Sequence, residues 1–220
     1  EDKDIPALAR MAEAMKSHGA LAGIQLAYSG INGPNLYSRE VPLAVTGGPI
    51  LTFTSDPVQA RTMDREDIRN LRRWFRNAFR RSHRAGFDLI CLYGAHGFGI
   101  LQHFLSRATN HRTDDYGGSL RNRARFLREI VEDARETTKG ELAVTLRMSL
   151  HEAGAYGFSN AELRDFIAMH AELPDLWDLA DRWAKGESAA NEMRQAEEEW
   201  LLGIARGFGV NVRIRQLEKA

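Results

Sequence analysis

Short apolar segments alternate along the chain with amphipathic helical segments, and this alternation restricts the fold more than any other feature of the sequence. Buried strands are predicted at residues 21–27, 87–93 and 142–148. Helices are predicted at residues 5–18, 64–85 and 119–139, each followed directly by a glycine. Strands joined by crossovers of this length run parallel in one sheet. The alternation therefore predicts an α/β fold.

Toward the C-terminus the pattern continues more weakly. A capping box at residues 159–162 predicts another helix, and further strands are predicted at residues 175–180 and, less regularly, 210–216. A (β/α)8 barrel has eight strands and typically about 250 residues. We therefore predict a partial TIM-barrel-like (β/α) repeat over residues 1–181, with four to five parallel strands, outer helices and a barrel that this chain alone does not close. Residues 182–220 are predicted to form an atypical C-terminal helix and a strand.

Residues 28–63 separate the first strand from the second helix and show no clear period. A loop of this length inside a compact domain is usually a lid or a binding loop. The helix that follows begins at Asp64, and Asp67 three residues later completes its cap. Its eight arginines lie opposite its apolar stripe, as expected for a solvated outer helix of a barrel.

The composition excludes several classes of protein. Thirty basic residues balance thirty acidic ones, so the chain has no overall positive field to attract nucleic acid or anionic lipid. Cys91 is the only cysteine, which excludes a disulfide framework, a zinc site with cysteine ligands and an iron–sulfur cluster within the chain. His96, His103 and His111 match no common metal spacing. Without a membrane-length apolar run or a signal-like N-terminus, we expect a metal-free cytoplasmic protein.

Titratable side chains that could take part in catalysis are concentrated directly after the second predicted strand. That strand ends at Tyr93, His96 comes three residues later, and a Gly-rich turn and a polar loop lead to a helix that opens at Ser119. Titratable groups between a strand end and a helix start are the usual layout of an α/β active site. A phenol beside an imidazole can control the protonation of an amine. Alternatively, Tyr93 packs as a strand end and His96 caps the turn.

A longer pattern surrounds this pair. The chain carries Y-G-A-H at residues 93–96 and N-x-R-T-D-x-Y-G-G-S-x-x-N-R-x-R-F at residues 110–126. These runs resemble the Old Yellow Enzyme class of flavin oxidoreductases, and most closely its trimethylamine, dimethylamine and histamine dehydrogenase branch. We interpret residues 110–126 as scaffolding in which Arg112, Arg123 and Arg125 pin the loop to the following helix.

The resemblance implies a bound FMN and assigns two residues to it. Gln25 would face the pyrimidine edge of the flavin, and Arg147 would lie near its N1 and O2. A fixed positive charge there stabilises the anionic reduced ring. Both residues end predicted strands, at the catalytic rim of a barrel. Each could instead satisfy loop carbonyls at that rim.

The resemblance also implies catalytic and substrate-binding residues. Tyr93 and His96 are the Tyr/His version found in the amine dehydrogenases, while Phe98 stands where ene-reductases keep a proton-donating tyrosine, which disfavours alkene reduction by that route. Trp177 would help to form an aromatic bowl for an alkylammonium, at about 0.5–2 kcal/mol per ring, or would simply pack in the core. Asp178 is predicted to complete the catalytic set, with Asp181 as the alternative.

The implied activity is FMN-dependent oxidative deamination of a small amine, with hydride transfer to flavin N5 and hydrolysis of the imine. The family holds the flavin phosphate on loops after the last two barrel strands, which this chain does not reach. We therefore expect weak or no FMN binding by this chain alone.

A second hypothesis is a truncated or engineered half-barrel scaffold without catalysis, which associates with another copy or with a complementary half because an open sheet exposes edges and apolar faces. A third hypothesis, a nucleic-acid module built on the arginine-rich helix, is disfavoured by the balanced charge.

Overall fold

The computed structural model describes residues 1–33, 40–49, 59–149 and 157–168. The chain divides into two compact units, Glu1–Ser159 and Asn160–Ala220. The strands predicted at residues 175–180 and 210–216, and the domain boundary predicted after residue 181, lie outside the described residues.

The described elements alternate as the sequence predicts. The strands are β1 (Gly23–Leu26), β2 (Leu43–Ala44), β3 (Gly48–Pro49), β4 (Gln59–Thr62), β5 (Leu89–Gly94) and β6 (Ala143–Met148). The helices of the first unit are α1 (Ile5–Lys16), α2 (Arg65–Arg84), α3 (Ile100–Leu105), α4 (Leu120–Arg123) and α5 (Arg125–Thr137). The second unit begins with α6 (Asn160–Ala168), directly after the predicted cap at Ser159.

The main sheet has the order β1-β5-β6, and both of its pairings are parallel. Helix α2 lies in the crossover from β1 to β5, and α3, α4 and α5 lie in the crossover from β5 to β6. Within the described part of the chain, β1 and β6 each pair with β5 alone, so the sheet stays open at both edges. The predicted α/β partial barrel, with parallel strands, surrounding helices and no closure, is confirmed for these residues.

Helix α2 forms where its sequence supplies both a cap and an apolar stripe. The Asp64 carboxylate accepts a hydrogen bond from Asp67 N at 2.8 Å, and Asp64 N donates to the Asp67 carboxylate at 2.9 Å. The Arg61 guanidinium bonded to Asp67 lowers the pKa of that carboxyl below its ordinary value. The apolar stripe is buried and consists of Ile68, Leu71, Phe75 and Phe79.

The segment predicted as one long loop contains a small second sheet. Strand β2 pairs in parallel with β4, and β3 pairs with β4 in antiparallel orientation. Arg112, whose side chain is 8% exposed, donates to Val45 O at 3.2 Å and to Met63 O at 2.5 Å, and thereby fixes the 110–118 loop to this sheet. The same guanidinium lowers the pKa of Asp114 through two hydrogen bonds.

The region between β5 and α5 also differs in detail from the prediction. Helix α3, whose six residues are all buried, lies where a turn and a loop are expected. The helix predicted at 119–139 is divided at Ala124 into α4 and α5, and the Ser119 hydroxyl caps it by accepting from Asn122 N. The Arg123 guanidinium donates to Gly118 O at 3.1 Å and also to Leu105 O. Arg123 therefore holds the loop as the scaffold interpretation predicts, whereas Arg112 binds the small sheet instead of the helix.

The sequence predicts that the arginines of α2 face solvent. Two of them instead bind α5. Asp133 is 3% exposed and accepts from Arg72 Nε at 2.8 Å, Arg72 Nη2 at 3.0 Å and Arg76 Nη1 at 2.9 Å. Arg72 also lies 3.2 Å from a carboxylate oxygen of Glu129. These contacts join the two outer helices that cover the sheet.

Replacing Asp133 with asparagine should destabilise the fold by about 2 kcal/mol, because two half-buried guanidinium groups lose their charged acceptor. Urea unfolding should show a lower midpoint with an unchanged slope. The control is Glu132→Gln on the same helix, where the carboxylate is 64% exposed and lies 3.7 Å from Arg128. That change should cost less than about 0.5 kcal/mol. Equal effects of the two substitutions would contradict the proposed role of Asp133.

Alkaline pH should unfold the protein partly through Tyr116. Burial, followed by the negative charge of Glu129, raises the pKa of Tyr116 from 10.0 to about 12. The folded state therefore favours the neutral phenol, and this contribution to stability is complete below pH 10 and is lost as the pH rises through about 12.

An ultraviolet phenolate titration tests this expectation. Tyr116→Phe should remove one phenol that ionises near pH 12, and Glu129→Gln should move that ionisation to lower pH. If the Tyr116→Phe variant instead lacks a phenol that ionises near pH 10, the expectation is contradicted.

Candidate active site

Gln25, Tyr93 and Arg147, which the sequence predicts as site residues, lie on one face of the main sheet. In the register of the two pairings, Gln25 lies beside Cys91 and Tyr93 lies beside Arg147. Paired residues of parallel strands, and residues two apart along a strand, point to the same face. These four side chains therefore share one face near the C-terminal ends of their strands. The alternate residues of β5, among them Leu92, point to the opposite face and are fully buried.

Tyr93 and His96 are in direct contact. The Tyr93 hydroxyl lies 2.8 Å from His96 Nδ1, and the tautomer of the imidazole decides which of the two donates. The guanidinium carbon of Arg147 lies 5.9 Å from the centre of the Tyr93 ring, within cation–π distance. The phenol, the imidazole and the guanidinium therefore form one cluster.

The loop that carries His96 has an unusual backbone. His96 has φ +59° and Gly97 has φ +73°, so two successive residues are left-handed. His96 N donates to Ser149 Oγ at 2.9 Å, and Gly97 N donates to Gln102 Oε1 at 2.8 Å. The Gly97 carbonyl accepts from His103 Nε2 at 2.7 Å. Ser149 and Gln102 carry no signal in the sequence, and His103 was compared there only with metal-ligand spacings, which it does not match.

Gln25 and Arg147 are exposed on this face and therefore free to meet a ligand. Gln25 Oε1 lies 4.0 Å from the thiol of Cys91, which is a weak contact. Among the described residues, no carboxylate pairs with Arg147. An amide can donate and accept, and a guanidinium presents five donors. This donor set fits the carbonyl oxygens and ring nitrogens at the pyrimidine edge of a flavin.

The remaining predicted site residues are placed as follows. Phe98 is 45% exposed and lines a cavity of about 400 Å³ together with Asn32, Thr46 and His103. Trp177, Asp178 and Asp181 lie outside the described residues.

The described residues contain neither a cluster of metal-binding side chains nor a helix that could span a membrane. Across residues 1–33, 40–49, 59–149 and 157–168, no group of three or more histidine, cysteine, aspartate or glutamate side chains could hold a metal ion. No helix in those same ranges has the length and apolar character needed to cross a bilayer.

Comparison with known proteins identifies the family of the chain. Residues 1–202 match the NADH:flavin oxidoreductase / NADH oxidase family. The solved structure of histamine dehydrogenase from Rhizobium sp. 4-9 is similar to this chain with a TM-score of 0.75 and 69% sequence identity, over 80% of this chain and 26% of that chain. Two curated relatives are also similar to this chain in sequence. Dimethylamine dehydrogenase from Hyphomicrobium sp. (strain x) is 33% identical over 190 residues, which cover 80% of this chain and 25% of the relative. NADPH dehydrogenase from Geobacillus sp. (strain WCH70) is 37% identical over 148 residues, which cover 67% of this chain and 42% of the relative.

The chain thus spans between a quarter and less than half of these relatives. The resemblance predicted from residues 93–126 is confirmed. The chain belongs to the NADH:flavin oxidoreductase / NADH oxidase family of Old Yellow Enzyme-like, FMN-dependent oxidoreductases, near its amine dehydrogenase branch.

Proposed function

We propose that this chain carries the catalytic face of an FMN-dependent amine dehydrogenase. The observation that supports this proposal most directly is the 2.8 Å contact between the Tyr93 hydroxyl and His96 Nδ1 on the face that also presents Arg147. The chemistry that a bound FMN would supply here is a hydride acceptor, its N5, for the carbon beside the amine nitrogen. The single cysteine supports a reducing, cytoplasmic setting.

Tyr93 and His96 control the proton of the substrate. An alkylammonium must lose its proton before its carbon can lose a hydride, because the nitrogen lone pair forms the imine. The Tyr93 oxygen and His96 Nδ1 share one proton across a short hydrogen bond, so the pair can accept the ammonium proton at one of these atoms. Water then hydrolyses the imine to a carbonyl compound and either ammonia, from a primary amine, or a smaller amine, from a substituted one.

Gln25 and Arg147 orient and polarise the flavin in this proposal. The exposed amide of Gln25 would bind the pyrimidine edge, and the guanidinium of Arg147 would stabilise the negative charge of the reduced ring. The stacking of Arg147 against Tyr93 fixes the cation beside the phenol. The substrate-binding assignment of Trp177 and Phe98, and the catalytic assignment of Asp178 with Asp181 as its alternative, complete the proposed set.

Titration of the purified chain with FMN, followed by anaerobic addition of histamine or dimethylamine, tests the proposal. Because we expect this chain alone to bind FMN weakly, FMN is added in excess; binding should quench flavin fluorescence, and the flavin absorbance should bleach when the amine is added. Tyr93→Phe should slow the bleaching by about 100-fold or more while FMN still binds, because the proton acceptor is lost. Tyr116→Phe is the matched control, since that phenol bonds Glu129 away from the site, and it should bleach at the wild-type rate.

Two results would contradict the amine assignment. One is preferential turnover of an α,β-unsaturated carbonyl with a reduced nicotinamide. The other is an equal rate of bleaching in the Tyr93→Phe and Tyr116→Phe variants.

The second candidate function is a half-barrel that associates without catalysis. The open edges of the main sheet in the described residues, together with the exposed Gln25 and Arg147 on the face that also carries Tyr93, favour this alternative. It predicts a dimer, or a larger assembly, by sedimentation at micromolar concentration. It also predicts that the protein retains no flavin absorbance once unbound FMN has been removed by gel filtration. A colourless monomer would contradict it, and a yellow protein that bleaches with an amine would favour the enzyme.

A further inference from the structure

The Tyr93–His96 contact depends on a backbone conformation that histidine seldom adopts. His96 is left-handed, with φ +59°, and Gly97 beside it is also left-handed, with φ +73°. The side chain of an L-residue disfavours this region, so neighbouring groups must hold it. Gly97 adopts it without steric cost. His96 does not, and the direction of its imidazole depends on whatever fixes its peptide.

Ser149 is the group that fixes the His96 peptide. Its hydroxyl oxygen accepts from His96 N at 2.9 Å, and its own amide donates to Gly94 O at 3.3 Å. Ser149 is therefore bonded on both sides to the chain that leaves β5. It also stands two residues beyond Arg147, so one short segment connects the guanidinium cluster to the loop of the imidazole.

The neighbouring peptide is held independently. Gln102, only 4% exposed, accepts from Gly97 N, and the buried His103 donates to Gly97 O. These two side chains belong to α3 and keep the turn after His96 in place. They contact neither the imidazole nor the phenol through any of these bonds, which leaves the Ser149 hydroxyl as the contact on the His96 amide itself.

We propose that Ser149 is a positioning residue for the Tyr93/His96 pair, which rests on the proposed amine dehydrogenase function of that pair. Its hydroxyl holds His96 in the left-handed region and so directs Nδ1 at the Tyr93 hydroxyl. When the acceptor is removed, the His96 peptide relaxes toward an ordinary conformation, the Cα–Cβ bond rotates, and the imidazole leaves the phenol.

The matched pair Ser149→Thr and Ser149→Val tests this proposal, because the two side chains have nearly the same volume and only threonine keeps the hydroxyl. The first measurement is nuclear Overhauser contact between the Tyr93 and His96 rings in the full chain without flavin, assigned with His96→Gln. Wild type and Ser149→Thr should show the contact, and Ser149→Val should lose it. Ser82→Ala removes a hydroxyl bonded within its own helix and should leave the contact unchanged.

The second measurement is amine-dependent bleaching of added FMN. Ser149→Val should slow it about tenfold with unchanged FMN affinity, and Ser149→Thr should restore it. Wild-type ring contact that persists in the Ser149→Val variant overturns the positioning role. If the wild-type chain binds FMN but neither histamine nor dimethylamine bleaches the flavin, the proposed function is overturned. The ring contacts still decide the positioning role in that case. If valine disturbs the spectrum throughout, Ser149→Ala, which is smaller, replaces it under the same criterion.

Discussion

The parallel pairing of β5 with β6 is the constraint on which the site depends. This register places Tyr93 beside Arg147, and the alternation along β5 turns Ile90 and Leu92 to the opposite face, where both are fully buried. A slip of one residue would bring Leu92 beside Arg147 and turn the phenol toward the core. The burial of two aliphatic side chains therefore fixes the position of two polar ones. The hydrophobic effect, which is non-directional, becomes specific here because a strand has only two faces.

Most of the conspicuous polar residues in the family pattern serve backbone atoms rather than a substrate. Arg112 binds carbonyls of the small sheet, Arg123 binds carbonyls beside α3 and α4, and Asn110 donates to the carbonyls of Phe104 and Tyr116. Loop carbonyls near a barrel rim have no ladder partners, so charged and amide donors replace the missing ones. Through these bonds the pattern holds the loop against α3, the helix whose Gln102 and His103 bond the Gly97 peptide. The residues to which we assign the chemistry are instead the few polar side chains on the sheet face.

The main sheet, α2 and the family were predictable from the sequence because each has a local signal. The apolar run before Tyr93 indicates β5, and the Asp64/Asp67 cap with its apolar stripe indicates α2. The small sheet was not predictable, since strands of two to four residues carry no period. Ser149 was missed for a different reason. It meets His96 across 53 positions of sequence, and only the register of β5 with β6 brings the two together.

In the proposed function, the direction of proton transfer distinguishes amines from alkenes. Reduction of an alkene requires a group that delivers a proton to carbon, and by resemblance the tyrosine that does so in ene-reductases is replaced here by Phe98, which has no proton to give. Oxidation of an ammonium requires the reverse, a group that takes a proton from nitrogen before the hydride leaves. A phenol and an imidazole joined at 2.8 Å share one proton and keep a lone pair available for another. The guanidinium carbon of Arg147 lies 5.9 Å from the centre of the phenol ring, so a fixed cation stands on the same face of the sheet as the two atoms that would take the proton.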